Sequence, residues 1–212
     1  MFPAGKKGDD GGMFIHETGE GLRGVVGFHG WSGDHRTFEP LWQKLPAGWI
    51  FFSFDLPGCG ESGKPAEWNF RAMAREVAGE VIQLGMRDLV LIGSCSGAIL
   101  TAFVARELRE MGRPEVVGRL VMVEPFAFCP WYLRLLLLPG LGPLMYATAF
   151  ANPLGRWITD RCLQGKKAEG TDLMASFQEA DHWVCWRYLK MLYERGRPGQ
   201  FRGLKLPVEI VY

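Results

Sequence analysis

The stretch Gly93-Ser94-Cys95-Ser96-Gly97 holds the residues most able to do chemistry. It follows the apolar run Leu89-Val90-Leu91-Ile92 and opens a helix-like segment, Ala98 to Met111. That order predicts a strand, a sharp turn and a helix, with a nucleophile at the apex of the turn. An apex residue forced into strained backbone needs small residues two before and two after it. With Cys95 at the apex, both flanks are glycine, Gly93 and Gly97. With Ser96 there, they are Ser94 and Ala98, which is tighter. With Ser94 there, Ile92 becomes a flank and sterics exclude it. The chemistry expected is nucleophilic attack by the Cys95 thiol, placed at a helix N-terminus where backbone N–H groups and the helix dipole favour negative charge.

Elements that would carry this turn are legible around it. Met13–His16, Gly24–Phe28, Trp49–Phe54, Leu89–Ile92, Leu120–Val123 and Val208–Tyr212 read as strands. The middle runs lack polar alternation, as strands buried on both faces of a parallel sheet do. Phe38, Leu41, Trp42 and Leu45 mark one helix face, and Phe70, Met73, Val77, Val81 and Leu84 another. Asn69 is placed to cap the second helix and Gly85 to stop it. A third helix buries Ile99, Leu100, Phe103, Val104 and Leu108 and ends at Gly112. The alternation predicts an α/β fold with a doubly wound, mostly parallel sheet. From Phe126 to about Gly199 no buried strand is evident and aromatics are dense, which reads as a helical insertion capping the strand ends. The expected divisions are a core at residues 13–125, a cap at 126–200 and a returning core strand at 201–212.

Composition bounds the function. The chain has 212 residues, 48% hydrophobic and 22% charged, with a net charge of +1. This fits one globular core. It gives no reason to invoke nucleic acid or an anionic membrane as partner. The start, Met1 to Gly12, lacks the apolar core of a secretory signal. The greasiest stretch, Leu135 to Phe150, is broken by Pro139, Gly140, Gly142 and Pro143 and is too short to span a bilayer. Five cysteines without metal-type spacing predict free thiols, a reducing, cytoplasmic compartment and no bound metal.

Three motifs in order resemble those of the α/β-hydrolase superfamily. Strand Val25 to Phe28 runs into His29-Gly30-Trp31, similar to that family's His-Gly oxyanion loop. Asp55-Leu56-Pro57-Gly58-Cys59-Gly60-Glu61-Ser62 resembles its D-x-x-G-x-G-x-S turn, and the turn at Cys95 resembles its nucleophile elbow. The resemblance implies a hydrolase without a cofactor, acting on an ester, thioester or lactone through a thioester on Cys95. Dienelactone hydrolases and polyhydroxyalkanoate synthases are similar in placing Cys at this apex. The implied oxyanion hole is formed by the backbone N–H groups of Trp31 and Ser96. His29 is expected to shape its loop, and Asp55 and Ser62 to hold theirs. Glu124, at a strand end, is a candidate triad acid, the place haloalkane dehalogenases give theirs; dehalogenase chemistry itself would need an Asp at the apex. In the family the base histidine follows the last strand and the acid usually follows the strand before it. The sequence ends at Val208 to Tyr212, which looks like that penultimate strand, one short loop before the usual acid position. The final strand, that histidine and the closing helix therefore have no counterpart, and Val208 to Val211 is expected at an open sheet edge. Phe126, Phe128, Trp183 and Trp186 are expected to line an apolar pocket for a small-molecule substrate, with Asp181 and Arg187 facing solvent. Transfer of the acyl group to an alcohol or amine, and a non-catalytic binding protein of the same fold, are the alternatives.

Overall fold

A computed structural model describes residues 12–126, 130–163, 176–195 and 203–212. Six strands form one sheet: β1 (Ile15–Gly19), β2 (Gly21–Phe28), β3 (Gly48–Phe54), β4 (Leu89–Ser94), β5 (Val117–Val123) and β6 (Val208–Val211). Their spatial order is β1-β3-β2-β4-β5-β6, with β1 antiparallel to β3 and every other pair parallel. A 3₁₀ turn, His35–Phe38, leads into the short α1 (Glu39–Trp42). The helices α2 (Phe70–Gln83) and α3 (Ser96–Glu110) follow β3 and β4.

Strand composition explains the layering. β2 and β3 end in the runs Val25-Val26-Gly27-Phe28 and Phe51-Phe52-Ser53-Phe54, which are buried at nearly every position. Such strands are stable only with cover on both faces. One face is covered by α2 and α3, whose Met73, Val77, Val81, Leu100, Val104 and Leu108 pack on Phe28, Phe54, Leu89 and Leu91. Asn69 caps α2, its side chain accepting from the N–H groups of Arg71 and Ala72, and Gly85 ends it with φ +69°. On the other face Phe38 packs against Phe51, the rings tilted by 41°. Beside them an open hollow of about 670 Å³ is lined by Val25, Leu41, Trp49, Val90, Ile92 and Val121 among others. β6 lies at the sheet edge, and all four of its residues are exposed.

Between β5 and β6 the described residues are helical: a 3₁₀ helix Trp131–Leu137, α4 (Leu141–Tyr146), a π-type turn Ala147–Ala151, α5 (Pro153–Leu163), α6 (Ser176–Glu179) and α7 (His182–Glu194). α7 is the middle layer. Its Val184, Tyr188, Met191 and Leu192 join the core over the sheet, while Cys185 and Leu189 join a second cluster with Leu136, Tyr146, Phe150 and Phe177.

The register decides where chemistry can occur. Phe28 pairs with both Phe54 and Gly93, Ser94 with Val123, and Val123 with Val211. The carboxyl ends of five parallel strands are therefore level. His29, Asp55, Cys95 and Glu124 all emerge at that one edge, where open α/β sheets bind their ligands.

Candidate active site

Cys95 sits between β4 and α3 with φ 54° and ψ −115°. An L-residue is strained there, at a cost of about 1–3 kcal/mol. Three contacts hold it. Its N–H donates to the Val123 carbonyl at 2.9 Å, its carbonyl accepts from Phe126 N–H at 3.1 Å, and α3 starts at the next residue. The flanking glycines are required by contact. A methyl group on Gly93 would lie 2.3 Å from the Gly97 carbonyl oxygen. On Gly97 it would lie 2.1 Å and 2.3 Å from the carbonyl oxygens of Phe28 and His29. All of these are backbone atoms that no rotamer change can move.

The loop after β2 lies against this apex. A methyl group on Gly30 would come within 2.9 Å of Cys95 Cβ. Gly33 N–H closes a turn onto the Gly30 carbonyl at 3.1 Å, with Trp31 and Ser32 (φ 66°) between them. Trp31 is therefore one residue from the contact with Cys95. Ser96, buried, is the first residue of α3, where N–H groups have no intrahelical acceptor. Trp31 is anchored by its indole: Nε1 donates to the Cys185 carbonyl at 2.8 Å, and the ring packs on Tyr146, Phe150 and Phe177.

His29 is wholly buried. Its Nδ1 lies 2.8 Å from the Gly30 carbonyl oxygen, and Leu56 N–H donates to its Nε2 at 3.0 Å. A neutral ring protonated on Nδ1 satisfies both contacts, and burial pulls its pKa down. The Nδ1 contact closes within the loop after β2, and the Nε2 contact ties that loop to the turn after β3. The turn after β3 is likewise held by Asp55 and Ser62. Asp55 Oδ2 accepts from Glu61 N–H at 2.8 Å, and Ser62 Oγ donates to the Asp55 carbonyl at 2.6 Å.

Sequence reasoning missed the other half of that network. Asp55 Oδ1 accepts from His35 N–H at 2.6 Å and contacts His35 Nδ1 at 2.9 Å. Burial alone would lower the His35 pKa; the hydrogen bond and charge of Asp55 outweigh it and raise it. His16 stacks on His35 and Trp42. Ligand atoms of Asp34, His35 and Asp55 lie within 4.8 Å of one another. Yet Asp55 spends its oxygens on the loop, and Asp34 accepts from the Arg36 backbone and side chain. No short motif links His35 to Asp55; only the β2–β3 register brings them together.

The remaining expectations divide. Glu124 is exposed at the end of β5 with φ 44°, its N–H donating to the Val211 carbonyl at 2.8 Å. It shares the carboxyl edge of the sheet with Cys95. Phe126 is adjacent to the apex through its bond to the Cys95 carbonyl, and packs on the sheet-side core. Phe128 lies outside the described residues. Trp183 and Trp186 do not act as one surface. Trp183 packs edge-on to Trp68, while Trp186 donates its indole N–H to the Leu136 carbonyl at 2.9 Å in the outer cluster. Three positions on a helix leave about 60° between side chains, enough here to send them to opposite neighbours. Arg187 is half-buried, its guanidinium 4.7 Å from the Trp183 ring centre, and Lys64 lies 5.1 Å from that centre. The expectation of Arg187 in solvent is corrected accordingly. Asp181 is exposed and caps α7, accepting from the N–H groups of Trp183 and Val184.

His182 lies one ring further out, its centroid 6.2 Å from Tyr146, which is 6.4 Å from Trp31. Its Nδ1 is buried with no hydrogen-bond partner, and burial lowers its pKa. A cleft of about 890 Å³ runs between the loop after β2, the turn after β3 and the cap, with Ser32, His35, Cys59, Asp181 and Cys185 in its walls. Cys95, Phe126, Trp183 and Trp186 do not line it. Burial pushes the Cys59 thiol far up and the Cys185 thiol to about 12.

Comparison with known proteins bears on the family and the fold. The pattern of the alpha/beta hydrolase family matches residues 25–204. The AB hydrolase superfamily protein YisY of Bacillus subtilis is 34% identical over 97 residues, 44% of this chain and 36% of its own length. The pimeloyl-[acyl-carrier protein] methyl ester esterase of Neisseria meningitidis serogroup A is 24% identical over 156 residues, 71% of this chain and 47% of its own. The chain thus spans less than half the length of these two relatives. Among solved structures, ALR0039 of Nostoc sp. PCC 7120 superposes with a TM-score of 0.71 at 16% identity, covering 98% of this chain and 79% of that one.

Proposed function

This chain belongs to the alpha/beta hydrolase family, and we propose that within it Cys95 is the nucleophile of an acyl-transfer reaction on an ester or thioester. The observation that supports this is the strained apex at φ 54°, wedged between two glycines that contact backbone and set at the start of α3. In the proposed reaction Cys95 Sγ, as thiolate, adds to the carbonyl carbon. The oxygen becomes an oxyanion facing the N–H groups of Trp31 and Ser96, where one well-placed donor is worth roughly 3–4 kcal/mol. Collapse expels the alcohol of an ester or the thiol of a thioester, which takes up from water the equivalent of the proton that Cys95 gave up, and leaves a thioester on Cys95. Water then releases the acid and restores the thiol; an alcohol or amine in its place would make the protein an acyltransferase. Phe126 beside the apex and the ring cluster around Trp31 support an apolar acyl group, because a charged one would lose its hydration there.

Rapid mixing with activated aryl esters, followed by mass spectrometry of the intact and digested protein, tests the reading. One acyl group on Cys95, absent in Cys95→Ala and forming faster from alkyl than from carboxylate-bearing chains, is the expected result. Ester cleavage unaffected by Cys95→Ala would overturn the nucleophile. Faster reaction with the carboxylate-bearing chain would overturn the specificity alone.

A further inference from the structure

The outer cap turns apolar side chains away from the protein. In α5 the residues Leu154, Trp157 and Ile158 fall at helical spacing i, i+3, i+4 and are 66%, 60% and 48% exposed. The opposite side of α5 carries its polar groups inward. Gly155 packs directly on the Thr148 carbonyl, Arg156 donates to the carbonyls of Phe150 and Ala151, and Thr159 donates to that of Ala149. This helix is amphipathic with the usual orientation reversed.

The elements before it repeat the pattern. In the 3₁₀ helix Trp131–Leu137, three residues per turn stack Tyr132 and Leu135 on one exposed side, and Leu138, just past its end, is exposed as well, while Leu136 packs in the outer cluster. Leu141 and Leu144 of α4 are exposed, whereas Tyr146 is buried. Among the described residues no single helix is long and apolar enough to cross a membrane. The pair Trp131–Leu137 and Leu141–Ala151 is apolar enough only when taken together, and it is bent by 115°, so it is not one straight span.

Charge supplies the second observation. Between Glu124 and Asp160 the sequence has two charged residues, Arg134 and Arg156, and no acid. At the far end of the α5 stripe, Arg161 lies 5.6 Å from the Trp157 ring centre, and Arg134 lies 5.8 Å from that of Tyr193. Through the end of α5 three arginines, Arg134, Arg156 and Arg161, stand against one acid, Asp160. Exposed Trp and Leu with such an excess of Arg is the composition of helices that rest in the headgroup region of a bilayer. The net charge of +1 conceals this local excess.

We infer that the outer cap, through the outward stripe of α5 and the Tyr132–Leu144 ridge, docks on a lipid bilayer surface containing anionic headgroups. The apolar side chains enter the acyl boundary while Arg134 and Arg161 pair with headgroup phosphates. This requires nothing of the chemistry at Cys95.

Vesicle co-sedimentation of the full chain tests it, with phosphatidylcholine alone against phosphatidylcholine mixed with phosphatidylglycerol. The expected result is tighter binding to the mixed vesicles, at least about tenfold weaker in Leu154→Asp/Ile158→Asp and unchanged in Cys95→Ala. Because those two side chains are exposed, circular dichroism of the double variant should match the parent. Brominated lipid should quench tryptophan emission, and quench it less in Trp157→Phe. Binding to neither vesicle, or equal binding by parent and double variant, overturns the proposal. So does a concentration-dependent dimer without lipid binding that the double variant makes monomeric, since the surface would then join two copies of the chain.

Discussion

Replacing Cys95 by glycine and, separately, by alanine should reverse the usual order of those two residues. At an ordinary position glycine is less stable than alanine by about 0.5–1 kcal/mol, because its unfolded chain has more freedom to lose. At φ 54°, ψ −115° alanine retains the strain of an L-residue, about 1–3 kcal/mol, and glycine does not. These angles are those of the first central residue of a type II′ turn, a position glycine favours. At the middle of the two ranges Cys95→Gly is more stable than Cys95→Ala by about 1 kcal/mol. For a chain of this size that is a melting temperature higher by roughly 2–4 °C. Both variants lack the thiol, so a reversible urea titration or thermal melt of the two reads strain alone. Cys95→Ala equal to or above Cys95→Gly would refute the strained apex, and with it the reason that Gly93 and Gly97 must be small.

Three further outcomes follow from contacts described above. Gly97→Ala would set a methyl group 2.1 Å from the Phe28 carbonyl oxygen; backbone must shift, and melts should show a loss of about 2–3 kcal/mol or more together with slower alkylation of Cys95. His35 gains a partner in Asp55 and its pKa is raised, so its contribution is complete below the unfolded value near 6.5 and fades as pH rises through the folded one. The stability advantage of the parent over His35→Gln should therefore be larger at pH 5.5 than at pH 8.5, as urea titrations at the two pH values would measure. Tyr188 is buried and donates to the Pro57 carbonyl at 3.1 Å, tying α7 to the turn after β3; Tyr188→Phe should lower stability by about 1 kcal/mol, read in the same titrations.

What was legible in the sequence was what short-range sterics and burial encode. Gly93 and Gly97 locate the apex because both collide with backbone if enlarged. Asn69 and Gly85 bound α2 because a cap and a positive φ are local requirements. The first strand was expected at Met13–His16 and forms at Ile15–Gly19. Met13 and Phe14 are buried before the ladder begins, so their apolar character reports burial and not pairing. The helix expected around Phe38 to Leu45 is a 3₁₀ turn followed by a single turn of α-helix, since Pro46 and the start of β3 leave no room for more. Long-range pairs were not legible. His35 meets Asp55 through strand register, and Trp186 meets Leu136 because α7 is buried on two sides, which helical spacing alone does not reveal.

The position of β6 carries a consequence for the order in which the chain folds. Leu120 to Val123 pair with Val208 to Val211 only after the whole cap has been looped out between them. Neighbouring parallel strands are commonly joined by a dozen or so residues. Closing this much longer loop costs about 1.5–2 kcal/mol more by the logarithmic length rule. The cap reduces that cost if α7 docks first, because its Val184, Tyr188, Met191 and Leu192 already belong to the sheet-side core and shorten the free segment before β6. On this count of loop length the β5–β6 ladder is the pairing expected to close last and open first.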